Sequence, residues 1–542
     1  MRNIRNILLL LFIIHFNSFA QNADKGILKY NWVMDPNNSY NQSKGITTTT
    51  PYSMFLETLR DEKGIILYST PLQTNNNPSK VNVRISYKSN NCSELYLKLI
   101  NIGEGEKTNS IDTLHLPLNN DWRNIQQTIE VKGALTMAIS IEAKGLPNEN
   151  GQVWIDKMDM LVDGQNAVEY EPEVKVSITK DDIIPLRDEN LADFPLRDKR
   201  ILAIGESIHG SETLNSLAID IIKDRIINNN SKLVLMEIPL EYSFYINRYI
   251  DGDESFKLDS ISYYFENSLF SNSLVSLIDW MKKYNSNTPE KVHFIGINHN
   301  FFMAQSRSNL FDFFYPLYQA TNNEKIKELC MLLLDDKDSF DDVIAFYEAN
   351  DGFKDVLNKD ESELMHYLFT LINQKEGPSH SFVNRDITMF KNTEFVMEKL
   401  LKEKETVTLY CHLGHLNYRT PLQGMIDMDY FSLGKYMKDK YKDDYSCVGL
   451  LAETGSYLSI SRSYFKIAEL RPSPTNSLEY LINNLNMDKC YLSMEKLANS
   501  DMIKTRHIGS NQLQEEFFFM VPKARMDGVI FTKQSSAIQK GI

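Results

Sequence analysis

The stretch RILAIGESIHGSETLNSLAIDIIKDRIINNNSKLVLMEI, residues 200–238, decides the fold of the larger part of the chain. It begins and ends with a short continuous apolar run, RILAIG at 200–205 and KLVLMEI at 232–238, and a longer amphipathic segment lies between them. Continuous runs rich in Val, Ile and Leu are typical of parallel strands that are buried on both faces. The stretch therefore predicts a strand, a covering helix and a second strand of an α/β domain.

Further apolar runs extend this pattern to the C-terminal end of the chain. They are KVHFIGI (291–297), TVTLYC (406–411), SCVGLLA (446–452) and GVIFTK (528–533). Between about 303 and 402 the chain is a helical stretch that is too long for one crossover, which predicts an inserted helical subdomain or lid. We therefore expect residues 199–542 to form an α/β domain, with a parallel sheet layered with helices and a helical insertion at about 303–402.

The chain before residue 165 follows a different pattern. Residues 21–164 are rich in Asn, Ser and Thr, and they contain short runs, such as VNVRISY and TMAISIEA, in which apolar and polar residues alternate. Alternation with a period of two, interrupted by turn residues, is typical of strands that bury one face. We therefore expect an all-β sandwich domain at 21–164. Residues 165–198 are charged and contain three prolines, which predicts a linker.

The last alternating run, GQVWIDKMDM at 151–160, is similar to the closing strand of galactose-binding-like jelly rolls. This resemblance implies a glycan as a partner of the sandwich. Trp32, Trp122 and Trp154 are the aromatic side chains that could stack on a sugar. A large aromatic residue at a strand position is also typical of a sandwich core, so both roles stay open at this point.

The first twenty residues have the features of an export signal. Arg2 and Arg5 precede an apolar run at 7–14, and residues 18–20 (SFA) have the small-x-small form that signal peptidase cuts. The run is too short to span a bilayer, and no later stretch reaches about 18 apolar residues. We therefore expect a signal peptide at 1–20, an exported protein that is periplasmic or secreted, and no transmembrane segment.

Charge and cysteine content exclude other classes of protein. Lys and Arg number 58 against 72 Asp and Glu, and the net charge of −14 is not offset by a strongly basic block. Nucleic acid is therefore not expected as a partner. The five cysteines are few, scattered and odd in number, which argues against a disulfide framework. Cys411 and Cys447 lie inside apolar runs and are expected to be buried.

Polar side chains follow four of the predicted strands at the point where each strand ends. Because ligands bind at the carboxyl ends of parallel strands, we expect these side chains to form one polar site. They are Glu206 and His209 after the first run, Glu237 at the end of the second, Asn298 and His299 after the third, and His412 and His415 after the fourth.

His209 is predicted to act as a general base. It lies with Glu206 just before a helix that Ser211 is expected to cap, and the positive end of that helix would keep the imidazole neutral. Glu237 could hold the other imidazole nitrogen and stabilise the charged form, as carboxylates do in hydrolytic triads.

Two other chemistries use the same residues. Gly205, Ser207 and His209 have the order of a nucleophile elbow, although its last glycine is missing, so a serine hydrolase is the lesser alternative. The side chains of Glu206, His209, Glu237 and His412 also have the nitrogen and oxygen character of a zinc or manganese site. Neither HExxH nor paired CxxC motifs accompany them.

Arg385 lies in NRDITMFKN at 384–392, which is expected to begin the helix before the fourth strand. Met389 lies on the same helix face at helical spacing. A guanidinium at this point could stabilise a developing oxyanion or bind a substrate carboxylate, and an ordinary surface arginine is the alternative.

Residues 199–540 resemble the erythromycin esterase-like hydrolases. The matching pieces are GESIHGSETLNSLAIDIIKDRI, LVLMEIP, FIGIN, NRDITMFKN, TLYCHLGHLNY, SLGKYMKDKY, RHIG (506–509) and MDGVIFTKQSSAI. The resemblance implies an esterase that activates water with a histidine and forms no covalent intermediate. Its general base falls on His209, its carboxylates on Glu206 and Glu237, its arginine on Arg385 and its later histidine on His412.

From the residues and the resemblance we expect an exported hydrolase that cleaves a small-molecule ester or lactone. The family usually has a basic residue nine positions after the base, whereas this chain has Ala218, which argues against a macrolide substrate. No cofactor is expected. The alternatives are a metal-dependent hydrolase of a peptide or other bond, with a divalent metal at the Glu/His cluster, and a non-catalytic protein that binds glycan or another ligand. The expected catalytic residues are His209, Glu206, Glu237, Arg385 and His412, and the expected substrate-binding residues are His415, Asn298, His299 and Met389.

Overall fold

The computed structural model describes most of the chain after residue 79 and five short strands before it. The described ranges are 33–34, 47–50, 53–58, 65–68, 72–73, 80–167, 176–187, 193–266, 268–270, 272–298, 303–335, 339–350, 353, 355–373, 382–419, 432–461, 464–510 and 516–540. The predicted signal peptide at 1–20, Trp32 and His299 lie outside these residues.

The N-terminal region is β-rich, as its sequence pattern predicts. One antiparallel sheet has the strand order β1-β4-β10-β7-β8, with β5 against β10, and the other has the order β2-β3-β11-β6-β9, with β12 against β11. The strands are β1 (Val33–Met34), β2 (Thr47–Thr50), β3 (Ser53–Glu57), β4 (Ile65–Tyr68), β5 (Leu72–Gln73), β6 (Lys80–Asn90), β7 (Cys92–Ile102), β8 (Thr108–His115), β9 (Arg123–Glu130), β10 (Thr136–Gly145), β11 (Gln152–Val162) and β12 (Gln165–Asn166).

The alternation along these strands produces the core of the sandwich. On β6, Val81, Val83 and Ile85 are buried, and they pack in one cluster with buried residues of β7, β10 and β11. Trp154 is half-buried, and Trp122 keeps 49% of its surface exposed. The described tryptophans of the sandwich are therefore not part of its buried core.

The C-terminal region contains a nine-stranded sheet with the order β13-β20-β23-β18-β14-β17-β15-β16, and β19 pairs with β18. All six runs predicted as strands are strands, and the pairs among them are parallel. The prediction of a parallel sheet needs correction, because β13, β20 and β19 pair antiparallel and make the sheet mixed. The strands are β13 (Ile183–Pro185), β14 (Ile201–Glu206), β15 (Ser231–Pro239), β16 (His293–Asn298), β17 (Thr406–His412), β18 (Tyr445–Ser461), β19 (Tyr464–Glu469), β20 (Lys489–Ser493) and β23 (Gly528–Ser535), and a separate hairpin consists of β21 (Ile503–Arg506) and β22 (Phe517–Met520).

Helices cover this sheet. The described α-helices are α1 (Glu212–Asn228), α2 (Tyr242–Ile250), α3 (Leu258–Glu266), α4 (Asn272–Ser286), α5 (Met303–Thr321), α6 (Glu324–Leu334), α7 (Asp341–Ala349), α8 (Lys359–Asn373), α9 (Phe382–Leu400), α10 (Leu413–Leu416), α11 (Leu433–Tyr441), α12 (Leu478–Asn483) and α13 (Pro522–Arg525). Single 3-10 turns lie at 104–106, 180–182, 442–444 and 494–496.

The helical insertion is shorter than predicted. Helix α6 packs against α5 and α7, and Tyr347 of α7 lies edge-to-face with Phe369 of α8 at 5.1 Å between ring centroids. Helix α9 packs against β15 and β16 as well as against α8. The helix α9 is therefore the helix that covers the sheet before β17, although the prediction assigned the whole range 303–402 to an insertion.

The predicted linker at 165–198 also differs in the structure. Its first residues form β12, which extends the sandwich, and Ile183–Pro185 form the edge strand β13 of the mixed sheet. Leu186 and Phe194 are buried in the core of the C-terminal region. The segment thus pairs with a strand of the sandwich through β12 and packs against the mixed sheet through β13, Leu186 and Phe194.

The parallel register brings the predicted strand ends together. Glu206 at the end of β14 pairs in register with His412 at the end of β17. Gly205 permits this close approach, because a Cβ atom there would lie 2.7 Å from Leu413 Cδ1.

All five cysteines are free and buried, as predicted for Cys411 and Cys447. Among the described helices, none is long and apolar enough to cross a membrane.

Candidate active site

The centre of the site is a hydrogen-bonded pair of Glu206 and His209. The Nδ1 atom of His209 lies 2.7 Å from Glu206 Oε1, and the side chain of Glu206 is 1% exposed. The other carboxylate oxygen of Glu206 accepts a hydrogen bond of 2.7 Å from the Tyr410 hydroxyl, which also lies 2.7 Å from Asn215 Oδ1. Burial and the charge of Glu206 raise the pKa of Tyr410 well above its usual value, so the phenol stays a donor.

This arrangement leaves one ring nitrogen of His209 open. Because Nδ1 faces the carboxylate, the proton of a neutral ring lies on Nδ1 and the lone pair on Nε2. Nε2 has no hydrogen-bond partner within the described part of the chain, and the side chain is 13% exposed. Burial disfavours the charged ring, but the hydrogen bond and charge of Glu206 and the charge of Glu237 outweigh it and raise the pKa of His209. The helix end was expected to keep this ring neutral, whereas the neighbouring carboxylates shift its pKa in the opposite direction.

Glu237 has a different partner from the one predicted. Its Oε2 accepts a 2.8 Å hydrogen bond from the amide of His412, and its Oε1 accepts from the guanidinium of Arg385. Burial opposes the charge on Glu237, but His415, Arg385, His209 and the amide hydrogen bond lower its pKa to about 2. Glu237 thus acts on His209 through its charge and does not hold the second imidazole nitrogen.

Arg385 lies in the site and not on the surface. Its Nε donates to Asn298 Oδ1 at 3.1 Å, and an NH group lies 2.9 Å from His415 Nε2. The other nitrogen of His415 lies 2.9 Å from the buried carboxylate of Asp386, which also accepts from the Leu433 amide at 3.0 Å. Asp386 therefore fixes the ring of His415, whose other nitrogen contacts Arg385. The sequence argument did not identify this role, although Asp386 directly follows Arg385.

His412 is a packing and positioning neighbour of His209. Its Nε2 donates to Ile508 O at 3.1 Å, its Nδ1 accepts from the Gly414 amide at 3.3 Å, and its ring centroid lies 4.3 Å from that of His209. Burial and the neighbouring histidines lower the pKa of His412 well below its usual value, so the ring is neutral. The expected role in oxyanion stabilisation does not follow from this geometry, because both ring nitrogens have partners.

The residues proposed as metal ligands are largely engaged in these contacts. In the part of the chain that the structure describes, no group of three or more His, Cys, Asp or Glu side chains is arranged to hold a metal ion. Both nitrogens of His412 and one nitrogen of His209 bind protein groups, and both oxygens of Glu237 accept hydrogen bonds.

Two other candidates lie in the interior. Ser207 has no exposed surface, so its hydroxyl is not accessible as a nucleophile. Met389 also has no exposed surface and belongs to the hydrophobic core, so it is not available to a substrate. The serine-hydrolase alternative is inconsistent with this burial.

His507 is a further histidine of the site that the sequence argument did not single out. Its ring centroid lies 4.5 Å from that of His412 in an edge-to-face arrangement. Burial, Arg525, His209 and His415 lower its pKa to about 3. The segment RHIG, quoted above for the family resemblance, was the signal that could have identified it.

Comparison with known proteins bears on the C-terminal part of the chain. The family model for erythromycin esterase matches residues 320–535, which confirms the resemblance over this part of the chain and indicates a hydrolase. None of the curated proteins matches the sequence.

Solved structures resemble both regions at low identity. A Bacillus cereus protein is 16% identical with a TM-score of 0.49, over 67% of this chain and 97% of that one. A mutant of the erythromycin esterase EreC in its open conformation is 13% identical with a TM-score of 0.41, over 64% and 93%. The sandwich partly matches carbohydrate-binding modules, such as the xylan-binding domain of Paenibacillus barcinonensis Xyn10C, which is 11% identical with a TM-score of 0.19, over 25% and 85%.

Proposed function

We propose that the protein is an exported hydrolase that cleaves an ester or lactone with water activated by His209. The observation that carries the proposal is the Glu206–His209 pair, in which Nδ1 is bound by the carboxylate and Nε2 is open. The raised pKa of His209 makes this nitrogen a stronger base than an ordinary imidazole.

The reaction follows from this geometry. Nε2 of His209 takes a proton from water as the water oxygen attacks the carbonyl carbon, and the negative charge of Glu206 stabilises the resulting imidazolium. The guanidinium of Arg385, held by Glu237, Asn298 and His415, supplies positive charge for the oxyanion. The imidazolium then gives its proton to the leaving alkoxide, and the products are an acid and an alcohol.

The test is a hydrolysis screen of esters and lactones with the purified protein, followed by kinetics of the His209→Ala variant. Loss of a general base lowers the rate by about 10² to 10⁴-fold. The His366→Ala variant is the matched control, because His366 is exposed on α8 beside Tyr347. Full turnover in His209→Ala would contradict the proposal, and turnover lost on chelation would favour the metal-dependent alternative.

Export is the second part of the proposal, and its support is the signal-like sequence at 1–20. Fractionation of cells that express the chain with and without these residues tests it. We expect the full chain to appear outside the cytoplasm in a processed form and the shortened chain to stay inside.

A glycan-binding role of the sandwich is a second candidate function. It is supported by Trp122, which is 49% exposed, and by the neighbouring pair of Phe55 and Trp154, whose ring centroids lie 5.0 Å apart. Lys88 lies over both tryptophan rings, at 5.4 and 4.6 Å from their centroids. Retardation by polysaccharides in affinity electrophoresis should weaken in Trp122→Ala and not in Trp280→Ala, whose tryptophan lies on α4.

A further inference from the structure

The position of His507 in the site is fixed by its main chain. Its amide donates to Glu516 O at 2.8 Å, and the next amide, that of Ile508, donates to Ser207 O at 2.8 Å. The carbonyl of Ile508 accepts from the His209 amide at 3.0 Å and from the His412 ring at 3.1 Å. The segment that carries His507 is therefore hydrogen-bonded to His209 and to His412.

The residue before it strengthens this anchor. Arg506 has no exposed surface, and its guanidinium donates to the carbonyls of Ala452, Glu453 and Arg471. Its amide donates to Glu479 Oε1 at 2.8 Å. A buried arginine with these partners holds the chain at one place, so the ring of His507 enters the site from a rigid support.

The ring of His507 differs from its neighbours in its hydrogen bonds. His412 and His415 each use both nitrogens, and His209 uses one, whereas neither ring nitrogen of His507 is hydrogen-bonded to any residue that the structure describes. The residue is half-buried, so part of it remains exposed. It therefore offers a nitrogen to a ligand at the same site.

Gly414 leaves the room that this ring needs. A Cβ atom on Gly414 would lie 3.0 Å from His507 Nε2 and 3.1 Å from His412 Nδ1. Such contacts are tighter than ordinary van der Waals distances, so a larger residue would displace one of the two rings.

We propose that His507 is a further catalytic residue, which donates a hydrogen bond from its neutral imidazole to the oxyanion that forms when water attacks the substrate carbonyl. The proposal depends on the proposed function. A neutral imidazole can polarise a carbonyl without giving up its proton. The lowered pKa of His507, about 3, keeps it neutral above that pH. No covalent bond to His507 forms or breaks in this step.

The test compares His507→Ala and His507→Gln with the wild type on one ester that it cleaves. Loss of one oxyanion donor lowers kcat by about 10² to 10³-fold, and glutamine, which keeps an N–H donor, should recover at least tenfold over alanine. KM should change little, and the acid limb of the pH profile, set by His209, should stay in place. His366→Ala is the control, and thermal unfolding shows that each variant is folded.

Each outcome decides between the proposals. An active His507→Ala beside an inactive His209→Ala overturns the role of His507 and leaves the proposed function intact. Equal losses of activity in His507→Ala and His507→Gln indicate a structural role and also overturn the proposed role of His507. If only the glutamine variant folds, full activity in that variant supports the hydrogen-bond donor, and a loss of about 10²-fold contradicts it. A wild type without activity on esters or lactones, or a fully active His209→Ala, overturns the proposed function itself.

Discussion

Each end of the mixed sheet holds a half-buried histidine near carboxylates, but the two histidines interact with these carboxylates in different ways. At the carboxyl ends of the strands, His209 binds Glu206 directly at 2.7 Å, and its pKa is raised. At the amino end of β16, burial lowers the pKa of His293, and the charges of Asp251 and Asp360 only partly oppose this effect. Burial alone makes a histidine a weaker base, and a direct hydrogen bond to a carboxylate reverses the effect.

The arginine–glutamate pairs at the two ends differ in the same way. Arg385, His415 and His209 lower the pKa of Glu237 to about 2, although burial opposes them. Burial raises the pKa of Glu361, although Arg248 hydrogen-bonds to it. The carboxyl ends thus place the Arg385 guanidinium and the rings of His415 and His209 around one buried anion.

The two ends should differ most in the free energy of unfolding that is lost when the arginine of each pair is replaced. Arg385→Met leaves Glu237 buried and charged, and loss of one partner of a buried pair costs about 3 to 5 kcal/mol. Arg248→Met should cost about 1 to 2 kcal/mol, because Glu361 more readily takes up a proton. The free energies of unfolding from urea titration at pH 7 measure both, and equal losses would contradict the contrast.

The pH dependence of stability should have opposite signs at the two ends. The lowered pKa of Glu237 gives stability that is present above about pH 4.5 and is lost as the pH falls toward 2. The raised pKa of Glu361 makes stability fall as the pH rises through 4.5 toward the folded pKa. The free energy of unfolding of the wild type should exceed that of Glu237→Gln at pH 6, and this difference should shrink by about 1 to 3 kcal/mol on acidification to pH 3.

For Glu361→Gln, the difference in free energy of unfolding between wild type and variant should change in the opposite direction over the same pH range. The two variants are matched, since each replaces a buried glutamate that hydrogen-bonds to an arginine. Parallel pH profiles for the two variants would show that the ends of the sheet do not differ in this respect.

The part of the fold that was predicted from the sequence is the part with strong local patterns. The parallel strands such as β14 and β17 are continuous apolar runs, and their ends carry Glu206 and His412. The antiparallel strands β13 and β20 were missed, because they have three and five residues and depend on pairing, of β13 with β20 and of β20 with β23, rather than on their own sequence.

The sequence predicted several of the side chains that lie together in the site, but not all of their pairings. Strand ends identified Glu237 and His209, but the hydrogen bond of Glu237 to the His412 amide depends on side-chain directions across two strands. His507 was missed because it follows β21, a strand of a separate hairpin, and tertiary contacts bring it to the sheet. Sequence periodicity carries no information on such contacts.

The acid limb of kcat/KM tests the central claim most directly, because it reports the pKa of the base in the free enzyme. We predict an apparent pKa above 6.5 for the wild type, since activity is lost as the pH falls through the raised pKa of His209. Glu206→Gln should lower this value by about 1 unit or more, and Asp251→Asn at the other end should leave it unchanged. An acid limb at or below 6.5, or one that does not move in Glu206→Gln, would contradict the account.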